Sequence, residues 1–151
     1  SQWWRTRDQG DSLAVAQHLA DIVGIDYYPR HALTTLGTKT VYLDGSKNPW
    51  HQQRRKQLSI WTRTHGQKLM VAEGQSEPWE AVTIPPNPYR QGMYSCLPER
   101  VITNYNTCMR WSRREDPLYA YLFWGAEYWM LRKQCADSSY IQAFARILEN
   151  A

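Results

Sequence analysis

The feature that most constrains this chain is a recurring order of elements. Three short apolar runs, Ile22-Val-Gly-Ile-Asp-Tyr27, Lys68-Leu-Met-Val-Ala-Glu73 and Tyr119-Ala-Tyr-Leu-Phe-Trp124, each end in residues that break regular structure. Runs of this length and β-rich content read as buried strands, over about 22–27, 68–73 and 119–124. Helical spacing fills the intervals. Leu13, Ala16 and Ala20 mark the end of a helix before the first strand. Pro49 to His65 reads as a helix with proline in its first turn and Gly66 as its stop. Val101, Ile102, Tyr105, Cys108 and Met109 put a second one over Pro98 to Arg113, and Asp137 or Ser138 can cap a last helix carrying Ile141, Phe144, Ala145 and Leu148. Residues Arg30 to Asn48 read as a loop with a brief strand at Thr40 to Leu43. A long proline-bearing loop runs from Pro78 to Tyr94.

Strand alternating with helix calls for crossover connections and a parallel sheet. The loops after the strands are long and aromatic, whereas the helix-to-strand turns are short, so function is expected at the carboxyl ends of the strands. The length of 151 residues suits one domain. A closed (β/α)8 barrel takes eight strands and about 250 residues. Three parallel strands left open expose both edges. The expected fold is therefore α/β and a partial (β/α)8 TIM barrel, its last three βα units, with residues 1–151 as the carboxyl-terminal fragment of one barrel domain. A small doubly wound domain is the competitor, but no strand end carries the Gly-rich phosphate turn.

Composition narrows the function classes. No apolar run nears the ~18–20 residues of a membrane span. The net charge of +4 is mild, and the basic triplet Arg54, Arg55 and Lys56 reads as the solvated face of a helix, so no nucleic-acid stripe is expected. The three cysteines share no CxxC spacing, and His18, His31, His51 and His65 form no ligand cluster, so neither a disulfide framework, a metal nor a cofactor is expected. No charged and apolar leader precedes the first helix, so a signal peptide is expected to be absent or already removed. The distinctive excess is 8 Trp and 10 Tyr against 2 Phe. Such flat faces with polar handles suit a flat, hydroxylated ligand.

Alternation along a strand puts Asp26 and Tyr28 on one face, Glu73 with Val71 on another strand, and Leu122 with Trp124 on the third, while Met70 and Ala72 are expected to face the helices. A carboxylate, a phenol and an indole then surround one mouth. Glycoside hydrolysis uses that set: a carboxylate nucleophile, a phenol that orients it and an aromatic floor under the sugar. Glu77 and Glu80 read as peripheral. Asp26 serves equally well as an acceptor for loop amides. Glu127, three residues past Trp124, suits contact with a sugar hydroxyl or an arginine, and less readily a second catalytic carboxylate. Trp3 and Trp4 read as outer helix packing.

The runs Val71-Ala-Glu-Gly-Gln-Ser-Glu-Pro-Trp79 and Leu122-Phe-Trp-Gly-Ala-Glu-Tyr-Trp129, with Asp21 to Pro29, resemble the last three strands of a cellulase-like glycoside hydrolase barrel, over about Trp3 to Leu148. The resemblance implies a retaining glycosidase with catalytic glutamates after the fourth and seventh strands. Glu73 occupies the nucleophile position, and Trp124 that of the indole flooring the subsite beside the scissile bond. Tyr28, less securely Tyr27, touches the nucleophile, while Gln75, Glu77 and Trp79 shape the sugar site. The acid/base glutamate is expected upstream of Ser1, in the missing half of the barrel, which leaves this segment inactive alone. The alternative is a non-catalytic carbohydrate-binding domain that stacks sugars on Trp79, Trp124, Tyr128 and Trp129. A serine hydrolase is disfavoured, because no Gly-x-Ser-x-Gly run occurs.

Overall fold

In the computed structural model, residues 6–37, 39–80, 95–112 and 117–150 are described. Trp3, Trp4 and most of the Pro78–Tyr94 loop lie outside them. Helix α1 (Thr6–Leu19) leads into β1 (Ile22–Tyr27). A hairpin follows, β2 (Arg30–Leu36) and β3 (Lys39–Asp44), antiparallel and turned at Gly37, whose φ is +61°. Within the loop expected over Arg30 to Asn48, β2 is a correction, while the brief strand expected at Thr40 to Leu43 falls within β3. Every residue of β2 from Ala32 onward is exposed, so the strand lacks the apolar alternation that would announce it.

A single 3-10 turn (Gly45–Lys47) leads to α2 (Pro49–Thr64). The Asn48 side chain caps it, its Oδ1 accepting from the Trp50 N–H at 3.0 Å. Then come β4 (Lys68–Gln75), α3 (Pro98–Met109), β5 (Tyr121–Trp124), α4 (Ala126–Gln134) and α5 (Ser139–Glu149). Helix α4 was not anticipated: Glu127 to Lys133 mixes charged and aromatic side chains with no apolar stripe. Before α5 it is Asp137 whose carboxylate accepts from the Ser139 N–H, at 3.0 Å.

The sheet has three parallel strands in the order β1-β4-β5. The helices cover one face of it. Tyr27 and Val71 pack there against Cys108 of α3. Phe123 lies between Tyr105 of α3 and Phe144 of α5, its ring centroid 5.8 and 5.1 Å from theirs. Arg55 of α2 reaches over Trp111, just past α3, on the same side. A second core joins α3, α4 and α5 through Val101, Tyr128, Trp129, Tyr140 and Ile147. Cys96, Cys108 and Cys135 are free thiols. No helix among the described residues is long and apolar enough to cross a membrane.

On the other face lie Gly24, Met70, Ala72, Leu122 and Trp124. Gly24 is required there by close approach: a Cβ on it would fall 2.9 Å from that of Ala72. Leu122 and Trp124 are 51% and 47% exposed. The expected pairing of Val71 with Glu73 on one face is wrong. In β4 the register jumps from Ile25↔Val71 to Asp26↔Glu73, so Ala72 is an extra residue. The bulge turns Ala72 and Glu73 both away from the helices and leaves Val71 buried against them.

Candidate functional site

The carboxyl ends of β1 and β4 bring the expected phenol and carboxylate together. Tyr28 Oη donates to Glu73 Oε2 at 2.7 Å. Asp26, the register partner of Glu73, lies close enough for its charge to act on the same phenol. Burial, then the Glu73 hydrogen bond, then the charges of Glu73, Asp26 and Glu77 push the Tyr28 hydroxyl far above its ordinary range. Tyr27, the less secure candidate, points the other way: it is buried in the core against Val71 and meets Trp111 edge-on.

Trp79 covers Tyr28, with ring centroids 4.8 Å apart and planes tilted by 42°. What holds Trp79 was not foreseen. Its backbone N–H donates to Ser95 Oγ at 2.6 Å, and Ser95 donates through N and Oγ to Glu80 Oε2, both at 3.0 Å. Glu80 and Ser95 thus clasp the base of the loop after β4. A bond spanning 15 residues, between a serine and a glutamate on opposite sides of a proline-rich loop, leaves no periodic trace in sequence.

Gln75 is buried, and its side-chain amide reaches the Glu77 carbonyl only at 3.4 Å. Its own carbonyl accepts from Asn104 Nδ2 at 3.0 Å. Gln75 therefore ties the mouth to α3 instead of offering a polar group to solvent. Trp124 ends β5 beside it, and its carbonyl accepts from the Ser76 N–H at 3.1 Å.

Glu77 lies directly over Gly125. A Cβ at position 125 would come within 2.4 Å of Glu77 Cγ, and φ there is +96°, so both sterics and backbone demand glycine. Gly125 is the cap residue of α4, and Glu127 sits in that helix's first turn. The Trp129 indole fixes the helix by donating to the Ser76 carbonyl at 2.7 Å. Burial, and secondarily the charge of Glu127, hold the Glu77 carboxyl above the ordinary carboxylate range. Glu77 and Glu127 are therefore electrostatic neighbours.

The arrangement offers an oriented carboxylate, a phenol bound to it, two part-exposed indoles and a second carboxyl, Glu77, held above its ordinary range by burial. Among the described residues, no group of three or more His, Cys, Asp or Glu could hold a metal ion. Comparison with known proteins finds no matching family model, no similar curated protein and no similar solved structure.

Proposed function

We propose that this chain is the carboxyl-terminal part of a cellulase-like (β/α)8 glycoside hydrolase, with Glu73 as the nucleophile of a retaining mechanism. The observation that carries this reading is the 2.7 Å hydrogen bond from Tyr28 to Glu73 at the carboxyl end of the middle strand. A carboxylate that attacks an anomeric carbon must be ionised and aimed. A phenol fixed on one of its oxygens aims it and leaves the other oxygen for attack.

The architecture supports the barrel. Apart from the β2–β3 hairpin, the strands follow one another across the sheet in the order β1-β4-β5, all parallel and with helices on one side, as in a barrel wall. Leu122 and Trp124 are the kind of inward residues that further βα units would cover. The second carboxyl, about 5–5.5 Å from the nucleophile in retaining enzymes, would come from the fourth strand of those units. Trp124 and Trp79 would floor the sugar subsites, with Asp26, Glu77 and Glu127 shaping their rim and the buried Gln75 bracing it against α3. In the complete enzyme Glu73→Gln is expected to lower kcat on an aryl glycoside by on the order of 10³-fold or more, about 4 kcal/mol of transition-state stabilisation. An unchanged kcat would refute the nucleophile assignment.

The exposure of Trp79 and Trp124, 54% and 47%, keeps a second reading in play, a carbohydrate-binding domain without catalysis. Stacking alone would leave oligosaccharide affinity intact in Glu73→Gln, with no glycoside cleaved by the complete protein.

A further inference from the structure

Arg55, inside the triplet that reads in sequence as a solvated helix face, is buried in the structure, at 6% exposure. Its guanidinium carbon sits 4.1 Å from the centre of the Trp111 ring, which holds the plane in one orientation. Its Nε has no hydrogen-bond partner. A buried cation normally finds a carboxylate, because leaving its charge unpaired is costly. Among the described residues, the ionisable groups that act on it are Tyr27 and Cys108, and burial pushes both far above neutrality, so neither carries a balancing charge. Burial also pulls the guanidinium below its usual value.

Arg55 opens into a recess of about 220 Å³ between α2 and the end of α3. Lys56, Arg63 and Arg110 line the same recess with Ser59 and Trp111, and its lining among the described residues contains no Asp or Glu. Four cationic residues thus line a space smaller than the ~300–1,000 Å³ of drug-sized ligand pockets, one of them, Arg110, also donating from Nη2 to Thr107 Oγ1 at 3.1 Å. A planar guanidinium fork with further cations around it matches an oxyanion with several terminal oxygens. The recess is single and compact, unlike the extended stripe that a nucleic-acid backbone requires.

We infer that this recess is a binding site for a phosphate group, either free or carried on a small phosphorylated sugar. It lies on the helix side of the sheet, behind Glu73, and the inference does not depend on the proposed hydrolase.

The test titrates the full chain with inorganic phosphate and with glucose 6-phosphate, each against sodium chloride at matched ionic strength. Calorimetry and the Trp111 indole NMR signal read binding. One saturable site is expected, with a rise in Tm that chloride does not reproduce. Arg63→Gln and Arg110→Gln, both exposed positions, should weaken it at least about tenfold while the ligand-free Tm stays unchanged. Equal affinity for the two probes identifies free phosphate as sufficient, and tighter binding of glucose 6-phosphate identifies the sugar-borne group. Absence of saturable binding of either probe, or affinity unaltered in both variants, overturns the inference.

Discussion

Asp137→Asn should unfold this domain more easily than any change of comparable size at the surface. Arg132 on α4 is buried, its side chain 4% exposed, and its charge is answered by Asp137 in the turn before α5. Arg132 Nε donates to Asp137 Oδ2 at 2.6 Å, and Nη2 pairs with the same oxygen. The remaining nitrogen, Nη1, donates to Tyr128 Oη at 3.1 Å. In asparagine, Oδ1 can still accept from the Ser139 N–H, but the amide NH₂ would then face two guanidinium donors. Losing one partner of a buried pair costs about 3–5 kcal/mol. Asp137 retains 24% exposure, so the lower end applies, about 3 kcal/mol. With a urea m-value of about 2 kcal/mol/M, the midpoint should fall by roughly 1.5 M at pH 7. The pH dependence is signed. Burial works to raise the Asp137 pKa, but hydrogen bonds from Ser139 and the charge and hydrogen bonds of Arg132 outweigh it, so the folded value is depressed. Its stabilisation is therefore present above the ordinary carboxylate pKa and is lost as pH falls through the depressed one. Urea titrations of both proteins from pH 7 downward should converge in acid. A difference below about 1 kcal/mol at pH 7, or one that persists unchanged in acid, would refute this account.

Gly125→Ala should cost about 2 kcal/mol or more, combining left-handed strain with the collision at Glu77, and Glu77→Gly in the same chain should recover the collision part, as measured by a double-mutant cycle of urea midpoints. Glu77→Gln should raise the Tm at neutral pH. A carboxyl with a raised folded pKa destabilises the native state as pH climbs through that value, so the gain should vanish in melts below the ordinary carboxylate range. Tyr28→Phe should leave the Tm nearly unchanged in thermal melts, because the phenol is only part-buried.

Elements whose periodicity is set by burial were legible in sequence. The three strands, α3 and α5 lie about where apolar spacing puts them, because each presents one face to a core, and α2 lies between the Pro49 and Gly66 that bracket it in sequence. Strand β2 and helix α4 were not legible, whereas β3 (Lys39–Asp44) contains the brief strand read at Thr40 to Leu43. Strand β2 is held by backbone pairing with β3 and carries no apolar alternation, and α4 is fixed by the Trp129 indole on the Ser76 carbonyl, 53 residues away in sequence. The same division runs through the candidate site. Glu73, Tyr28 and Trp124 could be placed by strand ends alone. The Glu80–Ser95 clasp, the seat of Glu77 on Gly125 and the burial of Arg55 arise only when loops fold back. Arg55 is the sharpest case, since a run of three cations in a helix reads as solvent-facing until Trp111 is brought over it.

The bulge at Ala72 explains how one strand serves both a core and a mouth two residues apart. In a regular strand positions 71 and 73 share a face, so a carboxylate at 73 would point with Val71 into the apolar layer beside Cys108. Both neighbouring strands step past the extra residue: β1 advances by one where β4 advances by two, and β5 advances by two where β4 advances by three. Leu69 and Val71 thereby stay buried, and Gly74 returns to the helix side, where a Cβ would meet the Tyr121 ring at 2.2 Å. Glu73, between them, is left facing Tyr28. A sequence rule of strict alternation must fail at such a position, because the slip is a property of three paired strands and not of β4 itself. It therefore fails where an apolar strand has to deliver an ionised group to its carboxyl end without burying it.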